Sequence, residues 1–169
     1  DDMDAGTFLR SLFALRHYFT AIASAGADDA PFAALRAHGL AAERAMLRAT
    51  GGINTHRGAI FSLGLLVAAA ARCRRQQGHA APVAQVCLAV QHWADAFAAA
   101  PLDANSPGQR ARLRHGVPGV REQAAAGYPM LRDLAVPTLR HALHNGLARD
   151  AAMCQTLMQL VAQVDDLNL

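Results

Sequence analysis

Three short segments carry residues whose types and spacing can do chemistry. The first is Gly51-Gly52-Ile53-Asn54-Thr55-His56-Arg57-Gly58, a polar, glycine-rich loop that leads into the most apolar helix of the chain. Such a loop can turn backbone N–H groups toward an anion at a helix N-terminus. Arg57 then falls in the first turn, where a cation opposes the helix dipole at a cost of about 0.3–1 kcal/mol. A bound phosphate would reverse that sign; a plain helix cap with a solvated Arg is the ordinary alternative. The second segment is Asp165-Asp166, adjacent carboxylates at the negative end of the last helix. They need a neighbouring cation, either Arg or a metal such as Mg²⁺, unless the terminus is simply solvated. The third is Asp1-Asp2-Met3-Asp4, an acidic start that also suits ordinary helix capping.

Other polar candidates are Glu43, Arg121 and Glu122. Both glutamates of the chain stand beside an arginine, in Glu43-Arg44 and Arg121-Glu122, which also fits a solvated helix face. The eight histidines lack HxxxH and HExxH spacing, so zinc chemistry is not indicated.

The elements that must position these residues are helical. Of 169 residues 39 are Ala, 53% are apolar and only 5% aromatic. Ala, Leu, Arg and Gln abound while strand formers are sparse, which disfavours an all-β fold. The chain is too apolar and too weakly charged to be disordered. The apolar run Gly58–Ala71, 14 residues, is short of the roughly 18–20 residues that span a bilayer. All 16 cations are Arg and the net charge is +3, without a polybasic run of the kind that binds nucleic acid or membrane. Cys73, Cys87 and Cys154 are unclustered, as expected of reduced thiols in a cytoplasmic protein.

The expected architecture is an all-α, compact single-domain multi-helix bundle around a central apolar helix at about 59–72. A first helix is expected over about Thr7–Ala25, with Phe8, Leu12, Phe13, Leu15, Phe19 and Ile22 inward. A second starts at Pro31 and reaches Ala49, stopped by Gly51-Gly52. Asn54 or Thr55 caps the central helix, whose apolar residues cover most of its circumference. A fourth begins near Pro82, with Val83, Val86, Cys87, Val90, Trp93 and Phe97 in one stripe. Short helices follow to Asn145, punctuated by Gly116, Pro118, Gly127, Pro129 and Pro137. A last helix runs over about Arg149–Val164, with Met153, Leu157, Leu160, Val161 and Val164 inward.

The segment Gly51–Gly64 resembles the signature of the triphosphoribosyl-dephospho-CoA synthases. These enzymes make the prosthetic-group precursor of citrate lyase and malonate decarboxylase. Asp2-Met3-Asp4 with Thr7-Phe8 is similar to that family's first conserved helix start. Gly39-Leu40 with Ala42-Glu43 and Met46-Leu47, the run Gly119–Pro129, and Asp165-Asp166-Leu167-Asn168 agree in the same order. Leu167 stands where the family has Thr. Motifs that the family carries before Asp1 and after Leu169 are absent, so residues 1–169 are expected to be one helical domain lacking terminal segments of a longer protein.

The resemblance implies a transferase. The 2′-hydroxyl of 3′-dephospho-CoA attacks C1 of the ATP ribose, adenine leaves, and the triphosphate stays on the transferred sugar. Such glycosyl transfer passes through an oxocarbenium-like transition state. The implied catalytic residues are Asp2, Asp4, Glu43 and Asp166. The implied nucleotide- and phosphate-binding residues are Gly52, Asn54, Thr55, His56, Arg57, Ser62, Arg121 and Glu122. Asp165 and Asp166 are the implied Mg²⁺ ligands. ATP and 3′-dephospho-CoA are the expected partners, with no nucleic acid and no membrane; oligomeric state is open, a homodimer included. The composition leans toward malonate decarboxylase as the enzyme served. The competing readings are another Mg²⁺-dependent all-helical nucleotide hydrolase and a non-catalytic helical partner protein.

Overall fold

A computed structural model describes residues 3–99 and 119–163. Every regular element among them is helical. The order is α1 (Ala5–Ala14), α2 (Tyr18–Ala27), α3 (Phe32–Ala49), α4 (Arg57–Gln77), α5 (Val83–Ala89), a 3₁₀ turn (Val90–Trp93), α6 (Ala94–Ala99), α7 (Val120–Ala125), a π-helical segment (Met130–Ala135), α8 (Val136–His144) and α9 (Arg149–Gln163). No helix among the described residues is long and apolar enough to cross a membrane.

Helix α4 is the central element, as its apolar circumference predicts. Its closest neighbour is α2, and the approach rests on small residues. A Cβ built on Gly26 would run into the backbone of Ala68. One built on Gly64 would run into the Tyr18 hydroxyl, which itself donates to Ile60 O at 2.7 Å. Tyr18, Ile22 and Gly26 recur at i, i+4 and i+8 on α2, and Ile60, Gly64 and Ala68 do so on α4, so ridge meets groove. All six are buried. Leu35, Met46, Leu65, Trp93 and Phe97 extend the same core. Asp29 ties the α2–α3 connection across it, with Arg72 Nε at 2.6 Å and His92 Nε2 at 3.1 Å from its carboxylate.

Several expectations need correction. The single first helix is two, because residues 15–17 form a turn. The inward face of its first half is also inverted: Phe8, Leu12 and Phe13 are exposed, while Thr7 and Ser11 are buried. Leu15 and Ile22 are buried as expected, in the turn and in α2. The physical reason lies in polar partners from the α3–α4 loop, which take up Ser11 (below) and so draw that side of α1 inward. Helix α9 departs likewise. Met153, Leu157 and Val161 are exposed, and the buried residues are Ala152 and Thr156. This helix packs mainly on α8 and the π-helical segment, and its small residues set that contact. The fourth helix is realised as α5, the 3₁₀ turn and α6, with Cys87, Val90, Trp93 and Phe97 inward but Val83 exposed. Pro137 has no N–H for the carbonyl four residues before it, which accounts for the wider winding upstream.

Two measurements check this packing. Gly26→Ala is expected to destabilise the protein by about 1–3 kcal/mol, because the added methyl meets backbone that cannot yield. Gly58→Ala, which meets nothing within 4 Å, is expected to be neutral or to stabilise by up to about 1 kcal/mol. Urea unfolding of both variants would show the contrast; equal stabilities would contradict the close crossing. Burial pushes the Tyr18 phenol up from the ordinary 10.0 to about 12. The unfolded chain therefore loses this proton before the folded one does, and stability contributed by Tyr18 is present below pH 10 and lost as pH rises toward about 12. Tyr18→Phe should flatten that alkaline loss in equilibrium unfolding.

Candidate active site

The C-terminus of α3 and the N-terminus of α4 are joined by residues 50–56. Gly51 and Gly52 have φ of +66° and +95°, values that an L side chain rarely adopts. Gly52 N donates to Leu47 O at 2.8 Å. With Gly51 left-handed just past the α3 cap, this is the helix-ending motif that two glycines after an apolar run predict. The Gly52 N–H is thereby committed to the protein. The Thr50 hydroxyl lies 2.6 Å from Ile53 O and 2.9 Å from Met46 O, which pins the loop to the end of α3.

The start of α4 is capped by its own loop. Asn54 Oδ1 accepts from Arg57 N at 3.1 Å, and His56 N donates to Met46 Sδ at 3.1 Å. The N–H groups of Gly58 and Ala59 follow at positions where a helix supplies no intrahelical acceptor. Arg57 Nε pairs with Glu43 Oε1 at 2.7 Å, the Glu43 side chain being only 20% exposed. The carboxylate offsets the cation that opposes the dipole, so Arg57 has a partner within the protein at the place where sequence alone suggested a phosphate.

Behind this loop lies a polar cluster. The Thr55 hydroxyl donates to Ser11 Oγ at 2.6 Å, and Ser11 Oγ lies 2.7 Å from His56 Nδ1. Thr55 Oγ1 is 3.0 Å from the same nitrogen. The Phe8 ring lies against the imidazole, centroids 4.3 Å apart. His56 Nε2 is buried without a hydrogen-bond partner among the described residues.

The loop thus brings together Asn54, Thr55, His56, Arg57 and Glu43. Sequence reasoning missed Ser11 and Phe8. Their signal was a buried i, i+4 pair, Thr7 and Ser11, hidden beside a more conspicuous apolar stripe. Ser62 lies further along α4, next to Tyr128. Burial pushes the Tyr128 phenol up, with the Ser62 hydroxyl acting against the shift. The Tyr128 hydroxyl has no partner in hydrogen-bonding geometry among the described residues, and its φ is +49°. Arg121 and Glu122 are in α7, which packs on α6 and the 3₁₀ turn; Glu122 Oε2 accepts from Gly119 N at 3.0 Å. Asp4 caps α1, its Oδ1 accepting from Thr7 N at 2.6 Å. Asp2, Asp165 and Asp166 lie outside the described residues. Among the described residues no three His, Cys, Asp or Glu side chains are grouped to hold a metal ion.

A family model for ATP:dephospho-CoA triphosphoribosyl transferase (CitG) matches residues 1–169. The 2-(5''-triphosphoribosyl)-3'-dephosphocoenzyme-A synthase of Pectobacterium atrosepticum is 35% identical over 178 residues, covering 99% of this chain and 59% of the relative. The synthase of Klebsiella pneumoniae is 36% identical over 169 residues, covering 98% and 59%. The chain therefore spans about three fifths of the length of these curated relatives. No solved structure matches.

The Asp4 cap yields a test. The Thr7 backbone N–H, helped by the Thr7 hydroxyl, holds the Asp4 carboxyl below its ordinary 3.8. A lowered folded value means that the cap stabilises above the unfolded value and is lost as pH falls through the folded one. Asp4→Ala should therefore be less stable than the natural protein at neutral pH, with the gap closing in acid, as read by thermal unfolding at several pH values.

Proposed function

Because the chain belongs to the family of ATP:dephospho-CoA triphosphoribosyl transferases, we propose that the whole protein joins C1 of the ATP ribose to the 2′-hydroxyl of 3′-dephospho-CoA with release of adenine. The observation that carries this reading is the family match over all 169 residues, every candidate site residue included. In the reaction the C1–O bond forms as the C1–N bond to adenine breaks. The electron pair leaves with adenine, and the hydroxyl proton passes to a base. The product, 2′-(5″-triphosphoribosyl)-3′-dephospho-CoA, is a prosthetic-group precursor for an acyl-carrier protein.

Such a transition state carries positive charge at C1 beside a polyanionic triphosphate. The chain must hold the phosphates, remove one proton, donate to adenine and exclude water. The start of α4 supports the first task. Arg57 offers a guanidinium fork, Asn54 and Thr55 flank it, and the Gly58 and Ala59 N–H groups stand at the positive end of a 21-residue helix. Arg121 is proposed as a second fork, with Glu122 and Ser62 in the nucleotide-binding set; Gly52, whose N–H is taken by Leu47 O, shapes the loop that carries the site instead of donating to the nucleotide. Glu43, Asp2, Asp4 and Asp166 are the carboxylates from which the base is drawn. Glu43, ion-paired with Arg57 at 2.7 Å, lies at the proposed phosphate site.

Magnesium belongs to the proposal, with Asp165 and Asp166 as its ligands; bound there, the ion would neutralise triphosphate charge. A cytoplasmic setting is proposed as well, in keeping with Cys73, Cys87 and Cys154 all being free thiols.

Arg57→Ala and Asp166→Asn are expected to keep the helical circular-dichroism spectrum of the natural protein. Each should lower the rate of adenine release from ATP with dephospho-CoA by about tenfold or more, roughly 1.4 kcal/mol of transition-state stabilisation. Natural rates in both variants of the whole protein would contradict the site.

A further inference from the structure

We propose that Ser11 is a positioning residue which, with Thr55, fixes the tautomer of His56 so that its Nε2–H serves as a donor to an oxygen of the bound nucleotide. The argument starts from counting protons. Each hydroxyl carries one, and Nδ1 offers either one proton or one lone pair. Thr55 donates its proton to Ser11 Oγ at 2.6 Å. Ser11 has then one proton of its own, and His56 Nδ1, 2.7 Å away, is the remaining acceptor among the described residues. Donation to Nδ1 requires that nitrogen to be bare. The imidazole proton is then on Nε2.

The opposite tautomer leaves the cluster worse satisfied. With the proton on Nδ1, that nitrogen would donate to Ser11, Ser11 to Thr55, and the proton of the half-buried Thr55 would be left without an acceptor among the described residues. That arrangement also reverses the hydrogen bond that Thr55 donates to Ser11. The directional relay Thr55 to Ser11 to His56 uses both hydroxyl protons without remainder.

The relay has a consequence at the other edge of the ring. Nε2 becomes a donor, and it is the buried nitrogen that has no partner among the described residues. An unmatched buried donor is rare in a folded protein and asks for an acceptor. It belongs to the residue immediately before Arg57, at the start of α4. The ring is gripped on its face by Phe8, 4.3 Å between centroids, and along its Nδ1 edge by Ser11, so its orientation is set by α1. A neutral imidazole held this way can donate a hydrogen bond from Nε2 but cannot accept a proton there. His56 is thereby assigned to binding and not to the base. The nucleotide half of this inference rests on the proposed function; the tautomer half does not.

The test uses the whole protein with ¹⁵N-labelled histidine. Two-bond nitrogen–proton correlation spectra of the ligand-free protein should show His56 as the Nε2–H tautomer. Ser11→Ala combined with Thr55→Val removes both hydroxyls that face Nδ1 and should raise the Nδ1–H population, whereas Thr55→Val alone, which leaves Ser11 to donate, should keep the natural tautomer. ATP added to the natural protein should move the Nε2 proton resonance. The double variant should raise KM for ATP about tenfold over Thr55→Val alone while kcat changes less than twofold, as expected for a hydrogen bond to a charged oxygen made equally in ground and transition states. An Nδ1–H tautomer in the natural protein, or an unchanged tautomer in the double variant, would overturn the relay. A shifted tautomer with unaltered ATP binding would overturn the role toward the nucleotide. ATP binding without adenine release in the natural protein would instead count against the proposed reaction and leave the tautomer result standing.

Discussion

The close crossing of α2 over α4 is the contact on which the rest of the structure depends. Gly26 sits on the backbone of Ala68, and the Tyr18 hydroxyl fills the space above Gly64 that a side chain would occupy. The Tyr18 hydrogen bond to Ile60 O locks the register. With α2 fixed there, the turn at residues 15–17 sends α1 against α3 and brings Ser11 and Phe8 to the loop before α4. That is how Ser11 comes within 2.7 Å of His56 from 45 positions away. Small residues at the crossing are therefore linked to the site through geometry, although none of them bears a functional group.

At the start of α4 several polar demands are met at once. The α3 helix is closed by its own glycines, so Gly52 N–H is spent on Leu47 O. Asn54 Oδ1 and Met46 Sδ accept from the N–H groups of Arg57 and His56. Arg57 opposes the dipole, and Glu43 offsets it. The remaining N–H groups, the guanidinium and an unmatched imidazole nitrogen lie in one short stretch of chain. An anionic, oxygen-rich ligand suits such a stretch, and the family's triphosphate-bearing substrate is of that kind.

Much of this was legible in the sequence, because it depends on local chemistry. Pro31 before α3, Gly51-Gly52 after it and the apolar circumference of α4 all follow from short-range rules. The expected cap of α4, Asn54 or Thr55, is displaced by His56, although Asn54 Oδ1 still accepts from Arg57 N. The polar loop stood out for the same reason. The face of α1 did not. Phe8, Leu12 and Phe13 are apolar by type, and nothing local says that Thr7 and Ser11 turn inward instead. That choice is made by Thr55 and His56, through long-range hydrogen bonds that periodicity does not register. Helix α9 misled in the same way, since the small residues Ala152 and Thr156 set its contact while Met153, Leu157 and Val161 stay exposed. The pairing of Glu43 with Arg57 was likewise hidden, because the sequence neighbour of Glu43 is Arg44.

The central claim is that this helical scaffold serves glycosyl transfer from ATP. The most direct test is mass spectrometry of the products that the whole protein forms from ATP and 3′-dephospho-CoA. The account predicts free adenine and a single conjugate carrying dephospho-CoA, a ribose and an intact triphosphate. Adenine with free ribose triphosphate, or ADP with unaltered dephospho-CoA, would contradict it.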